Sequence, residues 1–486
     1  MQPINSLGKD IFVYGIGNFL YSLMQLICMP IIIRDMSMNE VANWNILLPA
    51  GMLLSSIVTF GMDSAIPRFV IDKGETEKKL TFSTGFYFVM GLAIAVSFFL
   101  ALLTPPAASL FNISTTYLTS YWLLLSWLPG VIFSQYFQKW VQYTFQRNKF
   151  LGVIGFQSAI YLTLILFLKF SDQINLYNIM LAYLGSTWVS GFLGLYFSYH
   201  MIIFKFDRSL LIKLIKYGGP FMVLAFGFNL IFSFDKFILS RNVSSEEFAI
   251  YSQAFRIAAV FAMIVSSFNF AFGPFSLSLL NKNEGPDIFK NLKTYYLLFI
   301  CLAGLCFIAC GKLIILLLSG SEFISGYKYL PLFIIGYIFY GLYSFAQLGI
   351  IYSKKSYLGL YALFAGLITT IGLDFILVSP IKGFGTSLGY TLGVITMVFL
   401  ANTFSQKHLK FESNSFKDSL LIFIFIVISF CFSNFYWTSN LYIDSMAKLI
   451  SLVFVFGLFL LLPPFSSEPK KFRYFFSNTV FKSNSI

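Results

Sequence analysis

The chain has 486 residues, 58% hydrophobic and only 11% charged, with a formal net charge of +13. Soluble domains carry about 25% charged residues, and a water-soluble chain of this length needs a polar shell that this composition does not supply. The excess of Lys and Arg does not call for nucleic acid as a partner, because charge bias between membrane loops accounts for it.

About 20 apolar residues cross the hydrocarbon core of a bilayer, and on that rule the chain reads as fourteen helical spans. The first, 10–33, is too long for the apolar region of a signal peptide and lacks a small-residue cleavage site, so it is expected to stay. Spans 42–70, 81–103, 117–146, 151–170 and 177–203 follow. A second set covers 217–239, 249–280, 292–318, 327–352, 356–378 and 385–404, and a last pair covers 418–437 and 445–462. The connectors are short, which leaves no room for a soluble domain.

Basic residues fall in alternate connectors. One side carries clusters such as Arg68, Lys73, Lys78 and Lys79, then Lys205, Arg208, Lys213 and Lys216, then Lys282, Lys290 and Lys293. The other side holds only Arg34, Lys169, Arg241, Lys328, Lys382 and Lys448. The positive-inside rule then places both termini in the cytoplasm.

Shifting the chain by 207 residues lays KDIFVYGIGNFLYSLMQLICMPIIIRDMSMNEVANW, from Lys9, over KYGGPFMVLAFGFNLIFSFDKFILSRNVSSEEFAIY, from Lys216, without a gap. Arg34 meets Arg241, Ser37 meets Ser244, Glu40 meets Glu247 and Trp44 meets Tyr251. Both copies start on the same side of the membrane. Parallel repeats of this kind build transporters with the substrate site between the halves. The expected architecture is therefore all-α and polytopic: a six-helix lobe in 1–203, a pseudo-symmetric lobe in 204–411, and a helix pair with a tail in 412–486.

The stretch MPIIIRDMSMNEVANWNILLPAGMLLSSIVTFGMDSAIPRF resembles the opening of polysaccharide biosynthesis proteins in the MOP exporter superfamily. Pro30, Arg34, Gly61, Asp63, Ala65 and Arg68 stand at that family's pattern positions. DKFILSRNVSSEEFAIYSQAFRIA is similar to the family's second-lobe segment through Asp235, Lys236, Tyr251 and Arg256, and LLLSGSEFISGYKYLPLF and SPIKGFGTSLGYTLG resemble two further segments. Asn43 and Ile250 depart from the family's small glycine, and Asp374 from its asparagine. The resemblance points to the O-antigen flippase branch, whose fold is MATE-like. It implies a bacterial inner-membrane protein that moves an undecaprenyl-pyrophosphate-linked oligosaccharide to the periplasmic leaflet by alternating access. A polysaccharide polymerase and a chain-length regulator are its implied partners.

A charge at mid-bilayer costs about 2.5–3.5 kcal/mol on insertion scales, so the few charges inside spans are the candidates for function. Arg256 either pairs bidentately with a pyrophosphate or forms an ion pair with Asp235. Lys139 either greets the pyrophosphate, with Arg147 and Lys149, or is ordinary loop charge. Lys236 and Arg68 complete the cationic candidates for pyrophosphate or sugar. Asp63 is a proton or cation site, or a partner for the Pro67 break and Arg68. Asp235 and Asp374 are the other candidates for a coupling ion or for packing. Asp235, Lys236 and Lys312 are expected to snorkel to the interface, and Asp374 to lie near it. Trp122, Trp127, Trp140 and Trp437 fit interfacial belts.

The five cysteines sit in apolar stretches with no CxxC pair and no His nearby, so neither a disulfide framework, a metal site nor a cofactor is expected. Two related readings stay open, a MATE-type small-molecule antiporter and a lipid II flippase. A membrane enzyme is disfavoured, because the longest connector on the sparsely charged side, from Thr104 to Thr116, holds no charge at all.

Overall fold

The computed structural model describes residues 4–461 apart from 71–72, 105, 107–108, 110–112, 114, 145, 281–283, 354, 356, 411–414, 436–437 and 439. Trp437, Lys282 and the C-terminal tail lie outside these residues. Ten helices among the described residues are long and apolar enough to cross a membrane, and no strand occurs among them. One of the ten, Tyr357–Gln406, is two helices run together across a break at Lys382 (φ 47°) just after Pro380. The count of fourteen spans is a reading of the sequence.

The helices group into two units: Met1–Gln253 with Leu318–Gly320 and Leu360–Met397, and Ala254–Leu317 with Ser321–Gly359 and Val398–Ile486. In the first unit, α1 (Ile4–Ile33) turns into α2 (Met38–Thr59) through a capping box. Ser37 Oγ accepts from Glu40 N–H, and the Glu40 carboxylate accepts from Ser37 N–H at 3.0 Å. Such caps contribute about 1 kcal/mol by satisfying orphan amides. The other Glu40 oxygen accepts from Leu176 N–H, the first amide of α7 (Leu176–Ser198). Asp35 pairs with Lys169 at the end of α6 (Arg147–Phe170) at 2.7 Å, so two contacts close this end of the unit.

The second span breaks where α2 stops. Phe60 and Gly61 both adopt left-handed backbone (φ 50° and 66°), and α3 (Met62–Val70) resumes beyond them. The break lies directly against Gly218 of α8 (Arg208–Ile231): a Cβ at Gly61 would overlap the Gly218 carbonyl, and a Cβ at Gly218 would meet Phe60 O at 2.6 Å. Only glycine permits that backbone-to-backbone approach. Phe69 of α3 adds an edge-to-face contact with Tyr217 at 5.9 Å.

Helices α4 (Glu75–Leu102) and α5 (Leu118–Tyr143) complete this part of the unit. Its interior holds an amide–hydroxyl network. Gln138 Nε2 of α5 donates to Gln157 Oε1, Ser134 Oγ and Ser190 Oγ within 3.2 Å, which joins α5, α6 and α7. Trp127 and Trp140, expected in interfacial belts, are buried instead. Trp127 stacks on Tyr183 at 5.6 Å and Trp140 packs on Phe82 at 4.6 Å. Each ring face buries more apolar area there than an interface offers. Trp122 is exposed.

After α8 the chain kinks at Phe232–Ser233 into α9 (Phe234–Leu239), then enters α10 (Ser245–Leu279). The second unit holds α11 (Gly285–Ala309), α12 (Gly311–Leu318), α13 (Leu330–Ala346), α14 (Leu348–Ser353), α16 (Ser415–Asn434) and α17 (Leu441–Leu461); α15 is Tyr357–Gln406. Polar contacts at both ends hold α16 against α11. Asp418 of α16 pairs with Lys293 at 3.2 Å and accepts from Thr294 Oγ1 at 2.9 Å, both on α11. At the other end, Tyr327 donates to carbonyls of α11 and α16, at Ile308 and Phe432.

Candidate functional site

A helix that exposes Gln135, Lys139 and Tyr143 at four-residue spacing presents one polar face, and on α5 that face lines a cavity of about 390 Å³ within the first unit. Asp63 enters from α3 just past the Phe60–Gly61 break, and Asn229 from α8. The break is what places Asp63 there: the αL residues turn the chain so that a first-turn carboxylate of α3 faces the opening. Asp63 and Lys139 are both exposed to it. Lys139 Nζ lies 3.4 Å from Gln142 Oε1 on its own helix. The cavity thus offers one carboxylate, one ammonium, amides and hydroxyls on a lining that is otherwise apolar, with Met52, Met62, Ile66 and Trp140 among it, a mixture suited to an amphipathic ligand that carries a few polar groups.

The structure brings Asp63 and Lys139 to one cavity, although they lie 76 positions apart in the chain. Arg68 is exposed on α3 and does not line it. Arg256 lies in the second unit, half-buried on α10. Gln135 and Asn229 were not foreseen as site residues. The i, i+4 series on α5 carried the signal for Gln135.

A second polar cluster lies in the same unit. Asp235 and Lys236, expected to snorkel, are instead 0% and 4% exposed and pair with each other at 3.2 Å. Lys236 Nζ also donates to Phe232 O at 2.7 Å, a carbonyl left open by the kink between α8 and α9. Tyr251 donates to the free oxygen of Asp235 at 2.6 Å. Asp374, expected near the interface, is fully buried, and a Cβ at Gly389 would overlap its carboxylate. Neither Asp374 oxygen has a hydrogen-bond partner among the described residues. The kink explains why Lys236 and Asp235 stay inside: the Phe232 carbonyl and Asp235 receive the ammonium, and Tyr251 serves the second Asp235 oxygen, so neither side chain needs the interface.

The second unit has its own buried charges. Lys448 and Asp444 pair at 2.9 Å one turn apart on α17, and Lys448 Nζ lies 5.5 Å from the Tyr327 ring centre. Lys312, also expected to snorkel, is buried, with its Nζ 5.1 Å from the same ring. Cation–π attraction to Tyr327 offers both ammonium groups an interior position. Among the described residues no group of three or more His, Cys, Asp or Glu side chains is placed to hold a metal ion.

Comparison with known folds gives likeness over nearly the whole chain. A lipid II flippase, MurJ, in an inward closed conformation, superposes with a TM-score of 0.66 at 15% identity, covering 92% of this chain and 99% of that one. A multidrug resistance MATE family transporter of the MOP superfamily, in an inward-facing conformation, gives 0.65 at 14% identity over 82% of this chain and 95% of that one. A mutant of the Vibrio cholerae MATE transporter VcmN gives 0.56 at 15% identity over 86% and 99%. At these identities the likeness establishes the fold alone. Sequence comparison with curated proteins gives no match. The sequence profile of the family described as "Polysaccharide biosynthesis protein" matches residues 7–278, more than half of the chain. With many apolar helices and this match in hand, the chain is a multi-pass membrane protein that belongs to the polysaccharide biosynthesis protein family and has the MOP-superfamily transporter fold.

Proposed function

We propose that this protein is a flippase that carries an undecaprenyl-pyrophosphate-linked oligosaccharide, an O-antigen or related repeat unit, from the cytoplasmic to the periplasmic leaflet of the bacterial inner membrane. Family membership supports a role in polysaccharide assembly, and the shared fold supports transport. The observation that carries the reading is the first-unit cavity that gathers Lys139, Asp63, Gln135 and Asn229. Its volume falls in the roughly 300–1,000 Å³ range of small-molecule sites. In this reading it takes the pyrophosphate and first sugar of such a cargo while the lipid tail stays in the bilayer.

In this reading both termini are cytoplasmic, and residues 1–203 and 204–411 act as lobes that rock about the cargo, with 412–486 appended. Lys139 meets the pyrophosphate as a charge-assisted donor, with Arg256, Lys236 and Arg68 as further cationic candidates along the route. Asp63 hydrogen-bonds sugar hydroxyls or takes the coupling ion, and the buried set of Asp235, Lys236 and Asp374 is the other candidate for coupling. A polysaccharide polymerase and a chain-length regulator would receive the product. The structures that the chain resembles are transporters and a flippase, not enzymes, and the reading includes no catalytic step.

The test is deletion of the gene in its native host, followed by gels of surface polysaccharide and mass spectrometry of undecaprenyl-linked intermediates. Loss of surface glycan with complete repeat units retained on the cytoplasmic leaflet is the expected result. Normal surface glycan with raised sensitivity to cationic drugs would replace the reading with a MATE-type antiporter. Accumulated lipid II would replace it with a lipid II flippase.

A further inference from the structure

Between α7 and α8 the chain runs Tyr199-His200-Met201-Ile202-Ile203-Phe204-Lys205-Phe206-Asp207 before Arg208 opens the next helix. This connector is not loose. Ser83 of α4 donates from its hydroxyl to Met201 O and accepts from Ile203 N–H at 2.8 Å. Thr84 Oγ1 accepts from Asp207 N–H, and Tyr87 OH donates to Ile203 O, both at 3.2 Å. Four hydrogen bonds to one helix therefore fix the backbone, and the fixed backbone holds its largest apolar side chains outward. Phe204 is 99% exposed, and Phe206, Tyr199 and Tyr196 are more than half exposed.

Full burial of a Phe is worth about 1.5–3 kcal/mol, so a backbone pinned to present one to water needs a reason. The neighbouring charges supply it. Lys205 lies between the two phenylalanines, and Arg208, Lys213 and Lys216 follow, all exposed. The single acid of the segment, Asp207, is engaged in capping Leu210 N–H at 3.0 Å. The segment joins the ends of two helices that are each long and apolar enough to cross the membrane, 176–201 and 208–231. That position sets it at headgroup depth. Aromatic rings flanked by Lys and Arg match that layer, with rings at the acyl boundary and cations among phosphates.

We propose that the Tyr199–Arg208 connector is an interfacial anchor that inserts Phe204 and Phe206 into the adjoining leaflet and binds anionic phospholipid headgroups through Lys205 and Arg208. The inference rests on the membrane-spanning fold and not on the identity of the cargo. Because Ser83 and Thr84 hold the connector to α4 while its far end feeds α8, a bound lipid fixes the depth of both helices together.

The test uses the full-length protein in nanodiscs of phosphatidylcholine with phosphatidylglycerol. A spin label at F204C, compared with the unsubstituted protein to subtract labelling of native cysteines, is expected to be more accessible to oxygen than to a water-soluble nickel chelate. Retention of phosphatidylglycerol through purification is expected to fall about fivefold for each of Lys205→Gln and Arg208→Gln, with phosphatidylcholine unchanged. Both positions are exposed, so size-exclusion profiles should match the parent. A water-exposed label, or retention unchanged in the double variant, would overturn the anchor and leave the patch to a protein partner. Inorganic phosphate displacing the effect at equal concentration would likewise overturn a lipid-specific surface.

Discussion

The two copies of the internal repeat place different chemistry at the same address. Cys28 and Met29 in the first copy fall on Asp235 and Lys236 in the second, and the exposures coincide at 0% and 4% in each pair. The first copy fills the position with small and pliable apolar side chains. The second fills it with an ion pair, a tyrosine hydroxyl and a nearby second carboxylate. A repeat evidently fixes how buried a position is, and leaves open what is buried there. The outer end of each copy, by contrast, keeps its chemistry. Ser244 accepts from Glu247 N–H as Ser37 does from Glu40, and each glutamate reaches onward, Glu40 to Leu176 N–H and Glu247 to Lys382 at 3.3 Å.

The most forceful way to break the comparison is Asp235→Ala. It strands the Lys236 ammonium in a buried site, and loss of about 3–5 kcal/mol of stability is expected in thermal unfolding of the purified protein. The transplant D235C with K236M, which copies the first repeat, should recover most of that loss. If stability returns while transport does not, the charges serve the transport cycle; if both return, they serve packing.

Next comes Lys139→Ala, which on the proposed function removes a charge-assisted hydrogen bond to cargo worth about 1.5–3 kcal/mol. Cargo binding should weaken by about ten- to a hundredfold with the melting temperature unchanged, a pattern opposite to that of the Asp235 change. Gly218→Ala should destabilise by about 1–3 kcal/mol, since its Cβ meets backbone at Phe60 and Gly61. Gly219→Ala, whose nearest neighbour is a ring atom of Phe60 at 3.9 Å, is the tolerated control. The smallest contrast is between the two glutamates. Glu40→Ala loses a cap and a bond to a neighbouring helix, about 1–2 kcal/mol, whereas Glu247→Ala loses an exposed pair worth less than about 1 kcal/mol. Equal losses would mean that the two ends are more alike in energy than their different partners indicate.

These contrasts also mark how much was legible in the sequence. The all-helical membrane fold follows from hydropathy and loop charge, and the phase of the repeat is read from loop charges and turn residues, all of which are properties of position along the chain; the family is legible only through the resemblance of its motif segments. What hydropathy does not encode is rotation about each helix axis. Lys236 and Lys312 were expected to reach outward because a long cation usually does, but the kink carbonyl at Phe232 and the Tyr327 ring offered nearer partners inward. Trp127 and Trp140 turn inward for a different reason, the aromatic packing on Tyr183 and Phe82. The cavity was half-visible: Lys139 and Asp63 stood out as charges, whereas Gln135 and Asn229 are neutral, and only the four-residue spacing on α5 marked one of them.

The Tyr327 stack bears on how the protein is made. Helix α17 carries Asp444 and Lys448 one turn apart inside an otherwise apolar stretch, and each charge adds about 2.5–3.5 kcal/mol to the free energy of entering lipid alone. The ring that receives Lys448, and the Lys312 ammonium on its other contact, belong to helices synthesised earlier. Helix α17 is therefore expected to partition into the bilayer only once its docking surface has assembled, so that its insertion reports on the folding of the helices before it. Topology mapping of α17 fused behind an unrelated membrane helix, with and without the preceding residues 285–434, would show this directly: insertion in both cases would separate the two events.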